Sequence, residues 1–264
     1  MSTYSNIQLD ISKGVATIWL NRPDVHNAIS IELLEELTHC FAHLESNGSI
    51  RTIVLRGRGK SFSAGADLKL MLQTSRMGYE KNLDDGLKWA NCLATIYSSS
   101  KPVVGVATGN VFGGGNGLLA VCDIIIAEDN AAFSFSEVKL GIAPSTILPY
   151  ILKRLKLSTA KYLMFTGKRF TAQEAYRFNF VDFIVSHQQV EPLLESILTD
   201  ITNASPQGIR EVKNLISKLG EITNDQDIAN ITAASIAKLK TSDEAKEGIS
   251  AFLEKRKPNW GPDC

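Results

Sequence analysis

The amino-acid sequence predicts an α/β fold, because short β-branched strands and amphipathic helices alternate through its first two thirds. Two glycine-bearing loops each end a strand and begin a helix, and helices dominate the C-terminal third. A boundary is expected at Ala204-Ser205-Pro206, giving a sheet-based core over residues 1–204 and a helical region over residues 205–264.

Ile7 to Ile11 alternates, Lys13-Gly14 turns, and Val15 to Leu20 alternates again, which is the pattern of a hairpin. Asn21-Arg22-Pro23 breaks it. Ser30 then caps a helix whose apolar residues Leu33, Leu34, Leu37, Phe41 and Leu44 recur at helical spacing. Asn47-Gly48 stops that helix, and Ile53-Val54-Leu55 reads as a short strand. Arg56 to Asp67 is rich in Gly, Ser and Lys, and Lys69 to Asp85 reads as a mobile polar stretch. Val103 to Val106 is a buried strand that runs into the loop Gly109 to Gly117 and a helix over Leu118 to Val121. Ile124 to Ala127 is another buried strand. Beyond Pro144 the pattern is mainly helical, with a short strand at Val181 to Val185. Pro206 to Leu219 and Ile228 to Leu239 are amphipathic, and a last helix spans Asp243 to Lys255.

Composition narrows the class of function. Lys+Arg and Asp+Glu are both 28, so no global field recruits nucleic acid or an anionic membrane, and an anionic ligand must be met by a local patch. Met1 to Asp10 shows neither a basic nor an apolar leader region, so no secretory signal is expected. Apolar runs such as Ile124 to Ala127 fall far short of the ~20 residues that span a bilayer. Cys40, Cys92, Cys122 and Cys264 form no CxxC pair, which points to reduced, inert thiols and a cytoplasmic location. His39 and His43 have a metal-ligand spacing, but they sit on a surface-type helix without HExxH, and no metal site is expected. Ser136 has no histidine close in sequence, so a Ser-His-Asp hydrolase lacks support. Asp123 reads as a structural cap.

The chemistry concentrates in the two glycine loops, Phe62 to Leu68 and Gly109 to Gly117. Small residues allow a ligand close to the backbone, and a helix starting there leaves amide hydrogens unpaired. One amide from each loop can grip an oxygen that turns negative during reaction, an oxyanion hole. The same glycines also suit plain tight turns. Neither loop carries the GxxxxGK[ST] or GxGxxG spacing of a nucleotide site.

These segments resemble those of the crotonase superfamily of enoyl-CoA hydratases and isomerases. The resemblance is carried by Asn21-Arg22-Pro23 with Asn27-Ala28, the Phe62 to Leu68 loop, and Gly113-Gly114-Gly115 followed by Cys122-Asp123-Ile124. Phe133 to Gly141, Leu163 to Gly167 and the tail Phe252 to Arg256 extend it over nearly the whole chain. It implies a crotonase-type ββα spiral core with a C-terminal helical trimerisation region, assembling as a homotrimer or a dimer of trimers. It also implies an acyl-CoA substrate and no cofactor beyond the coenzyme A moiety. The family's oxyanion amides fall on Ala66 and Gly114. Ala64 and Lys69, the backbone at Val25 and His26, and Asp67 within the same loop match the region that meets CoA. Phe252 and Lys255 match a pair that reaches the CoA of a neighbouring subunit.

One departure stands out. Hydratases of this family usually carry two glutamates over the acyl chain, and the second matches Glu137. The first would stand at position 117, which is Gly117, and glycine transfers no proton. Glu137 is therefore the one strong acid/base candidate, in an aromatic setting where burial raises a carboxyl pKa. A single-glutamate Δ3,Δ2-enoyl-CoA isomerase is one alternative, and a non-catalytic CoA- or RNA-binding member is another. The segments around Gly113, Leu140 and Tyr150 look most similar to bacterial methylglutaconyl-CoA and isohexenylglutaconyl-CoA hydratases, of leucine and terpene breakdown. Such a substrate carries an extra carboxylate. A glycine at 117 would leave space for that group, with Asn116, Ser145, Thr146 and Tyr150 as candidates to hold it or water.

Overall fold

Lys13 and Gly14 both take positive φ, 49° and 76°. The turn they make sets β1 (Ile7–Ser12) antiparallel to β2 (Val15–Leu20), with Ile7 opposite Leu20. The protein is represented by a computed structural model that describes residues 4–220 and 222–260. Cys264 lies outside the described residues. Ser30 caps α1 (Ile31–Glu45) by accepting from the Leu33 amide, and Leu33, Leu34, Leu37, Cys40, Phe41 and Leu44 form its buried stripe.

A repeating unit follows. Each long strand is succeeded by a short one and then by helix: β3 (Thr52–Gly57) and β4 (Ser61–Ser63) lead into α2 (Leu68–Thr74) and α3 (Tyr79–Tyr97). Next, β5 (Val103–Ala107) and β6 (Asn110–Phe112) lead into α4 (Gly114–Ala120). The third repeat, β7 (Ile124–Glu128) and β8 (Ala132–Ser134), leads into a 3-10 turn at Glu137–Leu140 and then α5 (Leu148–Arg154). After α6 (Leu157–Thr166) come β9 (Arg169–Thr171), α7 (Ala172–Arg177), β10 (Phe183–Val185) and α8 (His187–Asn203). The described chain ends with α9 (Pro206–Leu219), α10 (Asp225–Lys240) and α11 (Asp243–Leu253).

The long strands form one sheet in the order β1-β2-β3-β5-β7-β10, parallel from β2 onward. The short strands form a second sheet, β4-β6-β8-β9, with β9 antiparallel at its edge. Each repeat therefore advances the chain by one strand in both sheets, a ββα spiral. The main core includes Ile18, Leu55, Phe62, Val103, Leu118 and Phe133. The other face of the long sheet is sealed by Val190 and Leu194 of α8 against Val54, Val104, Val106 and Ile126.

The sequence reading needs three local corrections. Lys69 to Asp85 is not an irregular stretch: it forms α2 and the start of α3. Its helicity is hidden because α2 buries no residue, so no apolar stripe is required. The helix expected at Leu118 begins four residues earlier, at Gly114, despite the low helix propensity of its glycines. The three-residue strands β4, β6, β8 and β9 are too short for period-two alternation to register. In the tail, α9 buries none of its residues, and Ile249, Phe252 and Leu253 of α11 are exposed.

Candidate active site

Because β4 and β6 are adjacent and parallel, the loops leaving their C-terminal ends start side by side. Gly65 has φ 90° and Gly113 has φ 48°, backbone that disfavours any side chain. A β-carbon on Gly65 would lie 2.8 Å from the Phe112 carbonyl oxygen, so the close approach of the two loops requires glycine there. The next residues are Ala66 and Gly114. Neither amide donates to a protein acceptor among the described residues, and both residues line the same cavity. Two unpaired donors converging from separate loops are suited to an anionic oxygen.

The Ala66 loop is held from below. Ile29 brackets it, donating to Gly65 O at 2.8 Å and accepting from the Asp67 amide at 3.0 Å. Asp67 caps α2 through the Lys69 and Leu70 amides and pairs with Arg22 at 3.4 Å. Beneath lies Asn27, fully buried at φ 53°. Its Oδ1 accepts from the Arg22 amide at 2.8 Å, and its Nδ2 donates to Arg58 O at 2.9 Å and Ser61 O at 2.8 Å. The Ala64 amide donates to His26 O at 2.8 Å, so Ala64, His26 and Val25 make one exposed rim. Lys69 is exposed in the first turn of α2.

Glu137 opens the 3-10 turn after β8, and its Oε1 lies 3.2 Å from where a β-carbon on Gly113 would sit. Its Oε2 is buried without a hydrogen-bond partner. Burial pushes its carboxyl pKa up, against a smaller opposing pull from a backbone hydrogen bond. Phe133 and Phe135, both fully buried, anchor the preceding strand in a cluster with Phe170 and Phe180. Asn116, fully buried, ties α4 to β8 through Nδ2 to Ser134 O at 2.8 Å. Asp123 accepts from the Val103 amide at 2.7 Å and pairs with Lys213 at 2.6 Å, a structural junction.

Ala66, Gly114 and Glu137 face one cavity of about 220 Å³. Leu70, Met71 and Trp89 wall one side, and Ile142 to Ile147 wall the other. Asp67 and Asp85 also line it, but each has a cationic partner, Arg22 and Lys81 respectively. Among the described residues, Glu137 is the lining carboxylate without an ion pair, and no lysine or arginine lines the space. No group of three or more His, Cys, Asp or Glu among the described residues could hold a metal.

Other expected residues stand apart. Gly117 is buried beneath Ile147 and does not line the cavity, so the space expected beside it is occupied by that side chain. Tyr150 packs on Tyr97 with ring centroids 5.2 Å apart, also outside the lining. Phe252 and Lys255 are exposed at the end of α11 and just beyond it, and neither reaches the cavity of its own chain. Sequence reasoning did not single out Trp89, Asp85 or Ile147. Trp89 and Asp85 lie on a helix without a motif and Ile147 lies inside a segment singled out for other residues, and only the fold brings them to the glycine loops.

The enoyl-CoA hydratase/isomerase family model matches residues 10–263. The chain belongs to that family. A crotonyl-CoA hydratase of Syntrophomonas wolfei is 31% identical over 97% of this chain and 98% of its own. A mevalonyl-coenzyme A hydratase of Aspergillus fumigatus is 30% identical over 94% of this chain and 92% of its own. Among solved structures, an enoyl-CoA hydratase of Shewanella pealeana superimposes with a TM-score of 0.94 at 34% identity, covering 97% of this chain and 96% of that one. The crotonase fold implied by the sequence resemblance is thus the fold of the molecule, and the family acts on acyl-CoA thioesters. The relatives' acyl groups differ from one another.

Proposed function

We propose that the protein is an enoyl-CoA hydratase for uncharged, short or branched acyl groups, with Glu137 as its acid/base. The observation that carries this reading is a half-buried carboxylate, its Oε2 without a hydrogen-bond partner, which shares one cavity with two unpaired backbone amides. The thioester oxygen accepts from the Ala66 and Gly114 amides. Glu137 takes a proton from water, the water oxygen bonds to the β-carbon, and the electron pair of the double bond moves onto the thioester as an enolate. The two amides stabilise that charge, which is where rate is gained. Glu137 then returns the proton to the α-carbon and is a carboxylate again. One group serving twice accounts for the missing glutamate at position 117.

The family resemblance to glutaconyl-CoA hydratases is supported less well than an uncharged substrate. Ile147 fills the space beside Gly117, and a substrate carboxylate would meet acidic lining residues with no cation among them. Val25, His26, Ala64 and Lys69 form the rim on which the nucleotide end would rest. Phe252 and Lys255, remote from their own cavity, suit the role of reaching a neighbour's CoA in a homotrimer. The solitary carboxylate also favours a second reading, Δ3,Δ2-enoyl-CoA isomerisation, in which Glu137 moves one proton between carbons.

The test is a steady-state assay with crotonyl-CoA, 3-methylglutaconyl-CoA and a 3-enoyl-CoA, following conjugated-thioester absorbance. Loss of signal with crotonyl-CoA, removed by Glu137→Gln, supports hydration. A gain of signal with the 3-enoyl-CoA alone supports the isomerase instead, and preference for the glutaconyl thioester overturns the uncharged-substrate reading.

A further inference from the structure

Gly114 and Gly117 lie one turn apart on α4, and each is covered by a large side chain from an opposite wall. A β-carbon on Gly114 would lie 2.3 Å from Cη2 of Trp89, and one on Gly117 would lie 2.2 Å from Cγ2 of Ile147. The Trp89 indole is thus seated directly on Gly114, the glycine whose amide is assigned above to the thioester oxygen. It also lines the cavity, half-buried, whereas Leu93 one turn further along α3 is fully buried. The space left is about 220 Å³, below the ~300 Å³ at which small-molecule pockets usually begin. It takes an acyl group and leaves the nucleotide outside.

We propose that Trp89 is the residue that sets acyl length: its ring is a rigid stop beside the thioester, so short chains fit and long straight chains do not. This rests on the cavity being the acyl site described above. Gly86, three residues earlier on α3, supplies the counter-test. It lines the same cavity, and a β-carbon there meets no atom within 4 Å, so bulk can be added at that position without a clash. Trp89→Leu opens the wall while keeping Gly114 under an apolar side chain, and Gly86→Leu narrows it.

The experiment measures binding of free CoA, butyryl-CoA and octanoyl-CoA by calorimetry, independent of turnover. Each extra buried methylene changes affinity about fourfold. Wild-type protein is expected to bind butyryl-CoA at least as tightly as octanoyl-CoA. The Kd ratio should move about tenfold toward octanoyl-CoA in Trp89→Leu, and toward butyryl-CoA in Gly86→Leu. A merely structural role for Trp89 would weaken both ligands equally and leave the ratio fixed. An unchanged ratio in both variants, with free CoA still bound, overturns the role of Trp89 and spares the acyl-CoA reading. Failure of wild-type protein to bind any of the three overturns both.

Discussion

Ile147 holds the space that a side chain at position 117 would need, its Cγ2 2.2 Å from the β-carbon position of Gly117. This is overpacking in waiting. Gly117→Ala should destabilise by about 1–3 kcal/mol, and Gly117→Glu by more because its carboxylate has no exit from a buried turn. Removing the obstruction should repair the clash. Gly117→Glu combined with Ile147→Ala is expected to melt well above Gly117→Glu alone, and thermal unfolding of the three variants checks it. Equal melting temperatures for the single and double variants would mean that Ile147 yields freely.

Much of this was legible in the sequence, and the limits have physical causes. The hairpin, the buried strands at Val103 and Ile124, and the Ser30 cap follow from local chemistry. The glycine loops drew attention to the cavity proposed as the oxyanion site, because Gly65 and Gly113 adopt backbone that other residues avoid. Glu137 became a candidate through family resemblance, and its burial follows from the fully buried Phe133 and Phe135. Trp89 and Ile147 were invisible, because their importance arises from contacts across the fold with glycines that carry no side chain to pattern. The absence of a glutamate at 117 was readable, but what replaces it was not.

Glu137→Gln keeps the shape and removes the proposed proton relay. Hydration should fall about 10²–10⁴-fold, the usual worth of general acid–base catalysis. Burial raises the Glu137 pKa above its ordinary 4.5, so wild-type activity should be lost as pH falls through a midpoint above that value, where the base becomes protonated.

Stability should run the other way. The neutral carboxyl is favoured in the folded state, so its contribution is full below the unfolded value near 4.5 and is lost as pH rises through the folded value. Glu137→Gln should therefore gain in melting temperature relative to wild type at pH 7 and lose that advantage near pH 4. Parallel melting curves at the two pH values decide it, and an advantage independent of pH would exclude a desolvated carboxylate as the cause.

Phe252 is 84% exposed and Leu253 75% exposed, with Ile249 at 57% on the same terminal helix. Large apolar side chains at that exposure, on a helix that buries Glu244 and Ala251 of its own, call for a partner surface. If a homotrimer forms as proposed, Phe252→Asp should lower the sedimenting mass toward a monomer. It should also raise the KM for crotonyl-CoA while leaving the Ala66, Gly114 and Glu137 cavity built from one chain.

Asn27 is the buried brace beneath the oxyanion loop, and its three hydrogen bonds tie together the backbone of Arg22, Arg58 and Ser61. Asn27→Ala removes the partner of the buried Ser61 carbonyl and of two part-buried groups, the Arg22 amide and the Arg58 carbonyl, and it puts alanine at φ 53°. A buried orphaned group costs about 1–3 kcal/mol, so a loss of at least that size is expected for the whole substitution. Because the Ala64 amide bonds the carbonyl of His26 next door, the rim should shift as the brace goes. Chemical denaturation should report the stability loss, and calorimetry should show free CoA binding weakened together with it. Stability lost with CoA affinity intact would show that the rim is held independently of Asn27.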